Sequence, residues 1–479
     1  MRPGIAARAL CQRTTMRKFL ILFVVIGAVV LILPGVIGFQ METRYQELLQ
    51  QMPELGLSVI EEDYQRGWFG ATAETELRIS LPEQGGDGDE DIRFTLSSAI
   101  AHGPLLSAGV GLGEIDSEVK MDGERLFPAE YPASIKTLIA LDGSGRMQLE
   151  LPAITLEPHG ERPGADFSGL SGNLSFDAAF AEAKAEVRTA GVVIHGTGNS
   201  LIEIGPLTLD SRSWAGPAGL TLGNANFQLQ RLLFNDPSAG GQVLLTGLGA
   251  EMESSDQEQM VGGSATYRLE TAQIGGVNYG PALLQFEFSN FSAPVVARMQ
   301  QQLEEMNNQN LSGQQQSMVV MSVLADNISQ LLKHDPRVAL RELRLVTPDG
   351  VVEGRVSLQS KGLLWEEIGQ PGKLLDKLAA DMSLRIPERL LRLLLQQQAM
   401  QQIAQQYQQR SDLGGEVQLP DAEELQAVAE TLASQQLDTL LTQGLLERDG
   451  DRIGTVAVLA DGLLTINGKS VPLQMFQQQ

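Results

Sequence analysis

Catalysis begins with groups that can hold a metal, attack an electrophile or pass a proton, and this 479-residue chain is thin in all three. Its histidines, His102, His159, His195 and His334, are scattered, and none has a second donor at the H-x-x-x-H or C-x-x-C spacing that places two ligands on one metal. His102 and His195 each precede a glycine after an alternating stretch and read as residues at strand ends. Ser144 in "DGSGR" and Ser171 in "GLSGN" lack the G-x-S-x-G spacing that exposes a nucleophile on a strand-to-helix turn. "NGKS" at Asn467–Ser470 resembles the end of a phosphate-binding loop, but Leu463 stands where its first glycine belongs and Pro472 blocks the helix that should follow. "GVGLGE" at Gly109–Glu114 lacks the last glycine of a dinucleotide fingerprint. The acidic run Asp87–Asp91 has Ile92 and Ser98 where a calcium loop needs glycine and glutamate, so it reads as a solvated turn. The sequence nominates no catalytic residue, no metal ligand and no cofactor.

A different kind of motif stands out. "YQRGWFGATAE", Tyr64–Glu74, sets two adjacent aromatics between two glycines in a chain with only three Trp. With "AHGPLL" at Ala101–Leu106 it supplies the candidate structural or interaction residues Tyr64, Gly67, Trp68, Phe69, Gly70, His102, Gly103 and Pro104. Gly67 and Gly70 permit a bend or bulge. On extended backbone Trp68 and Phe69 point to opposite sides, so one enters the core and the other faces the preceding helix or a membrane interface. The expected role is a structural pin, with Trp68→Ala acting mainly on stability.

These motifs follow the run Phe19 to Phe39, "FLILFVVIGAVVLILPGVIGF", which carries no charge and has the length of a helix crossing about 30 Å of hydrocarbon. Arg2, Arg8, Arg13, Arg17 and Lys18 precede it with no acidic residue, which predicts a cytoplasmic N-terminus and residues 40–479 outside. A cleaved signal peptide is the rival reading, but the run is long for an h-region and "VIGFQMETR" lacks a small-x-small site. Met1 and Met16 are both candidate starts, and either leaves a basic flank. The exterior part carries 30 Lys+Arg against 59 Asp+Glu, which disfavours nucleic acid and anionic headgroups and suits a body held off the membrane surface. Cys11, the only cysteine, precedes the run, so the exterior part has no disulfide.

The positioning elements follow from periodicity. Residues 41–62 read as a short amphipathic stalk helix ending at Pro53, then a first strand around Leu55–Asp63. From Ala71 to Phe288 the period is two, as in "TELRISL" and "IRFTLSSAI", punctuated by Gly, Pro, Asn and Asp. After Phe291 helical spacing dominates, with helices at about 292–333, 364–382, 387–410 and 421–446. "RVALRELRLVTPDGVVEGRVSLQ" and the closing "IGTVAVLADGLLTING" read as hairpins. The fold class is α+β: a transmembrane helix, a long antiparallel meander forming a curved sheet or groove, and C-terminal helices interleaved with hairpins. The expected organisation is a tail 1–18, an anchor 19–39, a β body 40–290 and a mixed region 291–479.

With "MRKFLILFVVIGAVVL", "YQRGWFGATAE", "AHGPLL" and "GLLTINGKSVPL" in this order, the chain resembles the YdgA-like family of bacterial inner-membrane-anchored proteins. The resemblance implies a periplasmic body on an uncleaved N-terminal helix and no established catalytic residues. More loosely, an anchor followed by many alternating strands is similar to the AsmA-like envelope proteins, whose β-grooves carry lipids. Three functions are then expectations. The first is a non-catalytic envelope protein whose apolar β face shelters acyl chains or an apolar protein segment, unless helices cover that face. The second is a partner-binding or homo-oligomeric scaffold presenting the helices of 387–448. The third is an envelope hydrolase with no recognisable motif.

Overall fold

The computed structural model describes residues 33–55, 57–79, 92–121, 124–125, 133–158, 164–196, 200–236, 241–307, 313–368, 370–412 and 422–471. The tail 1–18, residues 19–32 of the apolar run, the Asp87–Asp91 turn and His159 lie outside them. Contacts divide the chain into two units, one comprising residues 1–156 and 166–191, the other 157–165 and 192–479.

In the first unit residues 33–50 form one helix, α1, followed by a 3-10 turn at Met52–Leu55. Then come β1 (Ser58–Arg66), β2 (Gly70–Ile79), β3 (Ile92–His102), β4 (Gly113–Met121), β5 (Ser134–Ile139), β6 (Gly145–Leu151), β7 (Leu170–Phe176) and β8 (Glu182–Thr189). Each pairs antiparallel with the next, as period-two alternation and glycine-rich turns dictate. The stalk expectation is corrected here. Helix α1 is not a spacer: Ile37, Met41, Tyr45, Leu48 and Leu49 are buried with Ala71, Ala73, Ile100, Leu112, Ile115, Ile139 and Phe176 in one core. The helical stripe that looked suited to a stalk is buried against the sheet, worth about 1.5–3 kcal/mol for each large side chain.

Small residues let the helix come close. Ala73, Ser98 and Ser117 stand in one cross-strand row, and the buried hydroxyls of Ser98 and Ser117 hydrogen-bond at 2.8 Å. Tyr45 reaches the buried Thr75 hydroxyl at 2.8 Å. A Cβ on Gly113 would collide with the Met41 side chain.

The second unit is a longer antiparallel sheet. Its principal strands are β9 (Thr221–Asp236), β10 (Gly241–Gln257), β11 (Met260–Leu269), β12 (Ala282–Ser292), β13 (Arg337–Thr347), β14 (Gly350–Ser360), β15 (Leu378–Pro387) and β16 (Arg452–Ala460), each paired with the next. The closing hairpin runs from β16 into β17 (Leu463–Ile466) through Asp461 and Gly462, both at positive φ as a two-residue turn requires. At Ser292 the chain passes from strand to helix without leaving this sheet, because β12 pairs with β13 across the helices between them.

Those helices are α2 (Ala293–Asn307) and α3 (Gly313–Leu331); later come α4 (Pro371–Asp376), α5 (Glu388–Asp412) and α6 (Ala422–Thr442). The helix expected over 364–382 is a correction. Only a 3-10 turn at Trp365–Glu367 and α4 occupy it, and β15 begins at Leu378. Ala380, Met382 and Leu384 alternate with Asp381, Ser383 and Arg385, and pairing with β14 on one side and β16 on the other overrides the local helical preference of "KLLDKLAADM". Helices α5 and α6 pack mainly on each other, with Ala429, Ala433 and Leu437 buried between the turns of the pair.

Candidate functional site

In the antiparallel order of the first unit, the turn after β1, the loop after β3 and the turns after β5 and β7 all fall at one end of the sheet. The first two, with the strand ends that lead into and out of them, hold the candidate residues. Gly67 N–H donates to Gly70 O at 2.8 Å, closing the turn that carries Trp68 and Phe69, and His102 N–H donates to Phe69 O at 2.9 Å. Gly103 N–H donates to Leu112 O at 2.7 Å and Gly111 N–H to Pro104 O at 3.1 Å, closing a loop whose tip is the two-residue pairing of Leu105–Leu106 with Gly109–Val110. Tyr64 lies three residues before the turn, beside Tyr45 at 5.6 Å between ring centroids.

The orientation expected for the aromatics is corrected. Trp68 and Phe69 are not on extended backbone but in the turn itself, and both are more than half exposed, at 57% and 59%. Neither enters the core, because a tight turn turns both side chains outward where a strand would have alternated them. What the turn touches is α1. A Cβ on Gly35 would lie 3.0 Å from the Trp68 ring, and one on Gly38 would lie 2.6 Å from the His102 imidazole. Two glycines one helical turn apart therefore let α1 slide under the motif.

Sequence reasoning missed the helix side of this corner. Arg66 stacks 3.6 Å above the Phe39 ring and reaches Glu42 at 2.6 Å. The signal was present in "PGVIG", where Gly35 and Gly38 stand three apart within an apolar run.

The electrostatics follow from burial. His102 is buried, and burial pushes its imidazole below the ordinary 6.5, offset in part by the hydrogen bond to Trp68 O and reinforced by nearby Arg66. Nδ1–H donates to that carbonyl at 3.4 Å, leaving Nε2 buried without a hydrogen-bond partner. Burial, with Glu42 nearby, pushes the Tyr64 phenol up to about 12, and the same two causes raise the Glu62 carboxyl. A neutral imidazole wedged between a helix glycine and a turn carbonyl fastens two segments together. Elsewhere, His195 and His334 lie apart from the corner, and among the described residues no group of three His, Cys, Asp or Glu side chains could hold a metal ion. No helix among the described residues is long and apolar enough to cross a membrane.

The second unit has its own candidate surface. On one face of its sheet Met252, Ala265, Phe286, Leu340, Val356, Met382 and Ala457 form a cross-strand row, and Phe288, Val338, Leu358, Ala380 and Leu459 a neighbouring one. Met252, Phe286, Phe288, Val338, Val356 and Leu358 are all exposed. The opposite face carries cross-strand ion pairs, among them Glu251 with Arg268 at 2.7 Å, Glu287 with Arg341, and Arg355 with Asp381 at 3.3 Å. An apolar face of this extent left to solvent is unusual for a soluble protein.

A family model of a bacterial protein of unknown function, DUF945, matches residues 16–474. The chain belongs to the DUF945 family. That match takes in both units and both candidate surfaces of this DUF945 protein. No curated protein and no solved structure matches it.

Proposed function

We propose that this DUF945 protein is a non-catalytic, YdgA-like envelope protein, anchored in the bacterial inner membrane by one N-terminal span, with its bulk in the periplasm. Its task in this reading is to shelter lipid acyl chains on the apolar face of the second unit. The observation that carries it is the exposed apolar stretch of the two rows, Met252, Phe286, Phe288, Val338, Val356 and Leu358, on a sheet whose other face carries cross-strand ion pairs. Acyl chains suit such a face because they match its apolar surface without asking for hydrogen bonds. The basic flank and uncharged run before residue 40 support the anchor and its direction.

The test is to extract the full chain from membranes in mild detergent and identify co-purifying lipid by mass spectrometry. Lipid bound to the native chain and lost from a Phe286→Ser/Phe288→Ser variant is expected; a native chain free of lipid would remove the reading. A second reading, a partner-binding or self-associating scaffold, draws on Leu393 and Leu394 of α5 and Val428 and Leu432 of α6, which stay exposed on the helix pair. In-cell crosslinking that recovers only monomer would remove it.

A further inference from the structure

Seven residues of the uncharged run, Leu33–Phe39, already belong to α1, and Pro34, Ile37 and Gly38 of these are buried on the body. As a helix the whole run of 21 residues would measure about 31 Å, and the 14 residues from Phe19 to Ile32 only about 21 Å. A bilayer core is about 30 Å thick. If the run crosses the membrane, the part seated on the body must itself lie within the apolar layer, which brings the body to the bilayer surface.

The corner is built for that depth. On α1 the side chains left uncovered between Leu33 and Phe39 are Val36 and Phe39, both apolar. Beside them stand Trp68 and Phe69 on the first turn, and Leu105 and Val110 on the loop after β3, exposed at 72% and 60%. The segments "GWFG" and "GPLLSAGVGL" contain no charged residue in a chain of net charge −24. At the same end of the sheet the turns farther from the helix entry carry Asp142 and Asp177, whereas at the corner Arg66, which lies over the Phe39 ring, is paired with Glu42. Trp and Phe at that level match the aromatic belt of membrane proteins.

We infer that Trp68, Phe69, Leu105 and Val110, with Val36 and Phe39, form a collar that seats the body in the outer, periplasmic leaflet of the bilayer that the N-terminal run crosses. The inference rests on the anchored reading and deepens it. It assigns "GWF" to lipid contact and replaces a body on a stalk with one resting on the membrane.

The test uses the full chain with Trp214→Phe and Trp365→Phe, which leaves Trp68 as the single fluorophore, reconstituted in phosphatidylethanolamine and phosphatidylglycerol vesicles. Flotation in alkaline carbonate first reports the anchor. Lipids brominated near the headgroup end of the acyl chain should then quench Trp68 more than lipids brominated near the methyl end, as for an interfacial Trp, while aqueous iodide should quench it weakly. A chain that floats but whose Trp68 is quenched by iodide and not by brominated lipid overturns the collar and leaves the anchor standing. Protection from both quenchers overturns it in favour of a protein partner or a second copy. A chain that does not float overturns both readings. A Phe69→Ser/Leu105→Ser variant that still floats with Trp68 accessible to iodide would add support, whereas unchanged quenching would count against a shared collar.

Discussion

In the first unit the apolar side of the sheet carries a helix, whereas in the second the side chains of Met252, Phe286, Phe288, Val338, Val356 and Leu358 on the apolar side stay exposed. Both sheets are antiparallel, and both alternate with period two. They differ in what stands in the cross-strand rows. Beneath α1 small residues, Ala71, Ala73, Ser98, Ser117, Gly113 and Thr137, alternate with Ile100, Ile115 and Ile139, and the helix approaches until Met41 is completely buried. In the second unit Phe286, Phe288, Val338, Val356 and Leu358 stand at the middle of the rows and stay exposed, with Ala265, Ala380 and Ala457 toward their ends. Its helices pair with each other instead. Small residues at the points of closest approach, Gly113 under Met41 among them, let a helix backbone seat on a β face that also carries large apolar side chains.

A matched pair of substitutions tests this most severely. Met41→Asp forces a carboxylate into a site with 0% exposure and should cost at least about 3 kcal/mol. Val338→Asp in the second unit should cost no more than about 1 kcal/mol. Thermal unfolding in detergent reads both, and equal losses would break the comparison. The next effect is on binding. Phe286→Ser/Phe288→Ser/Val356→Ser should weaken an acyl-chain probe about tenfold, equal to ~1.4 kcal/mol, while leaving the melting of the first unit unchanged.

Acid should separate the units again. Burial holds His102 below 6.5, so the unfolded chain binds a proton that the folded chain refuses. The stability this contributes is present above about pH 6.5 and is lost as the pH falls toward the depressed folded value. In the second unit the guanidiniums of Arg268 and Arg341 hold the Glu251 and Glu287 carboxyls below 4.5, so their contribution is lost only in more acidic solution. Urea midpoints followed with Trp68 or Trp214 as the single fluorophore should show the first unit weakening earlier. His102→Gln should flatten that slope, and a slope that survives would mean another group titrates. The smallest effect is expected at Trp68. Its ring is over half exposed and leans on Gly35, so Trp68→Ser should change stability by no more than about 1 kcal/mol, against the larger loss expected of a core residue.

Much of the architecture was legible. The turn at Asp461–Gly462, the alternation of "ATYRLETAQI" and the helix over 388–412 are local consequences of turn chemistry and periodicity. The segment 378–387 was misread because its leucines and alanines favour a helix when alone, and only two long-range partners make it a central strand. At the candidate site the glycines and "GWF" drew attention on composition, but their orientation depended on a turn type that three residues do not specify. Gly35 and Gly38 were passed over because an apolar run of that length reads as one thing, a span, and its last seven residues also serve as the first half of a packed helix.

The sequence by itself determined the uncharged run with its basic flank, the strand periodicity, the acidity of residues 40–479 and the absence of any recognisable catalytic motif. Each is a property of neighbours along the chain or of composition. The tertiary structure decided that α1 lies on the first sheet, that Trp68 and Phe69 face outward beside it, and that Phe286, Phe288, Val338, Val356 and Leu358 of the second sheet stay exposed. The reason is physical. Periodicity says which side of a strand is apolar, but what covers that side depends on the sizes of side chains brought together from strands far apart in the chain, and contacts of that kind exist only once the strands have paired.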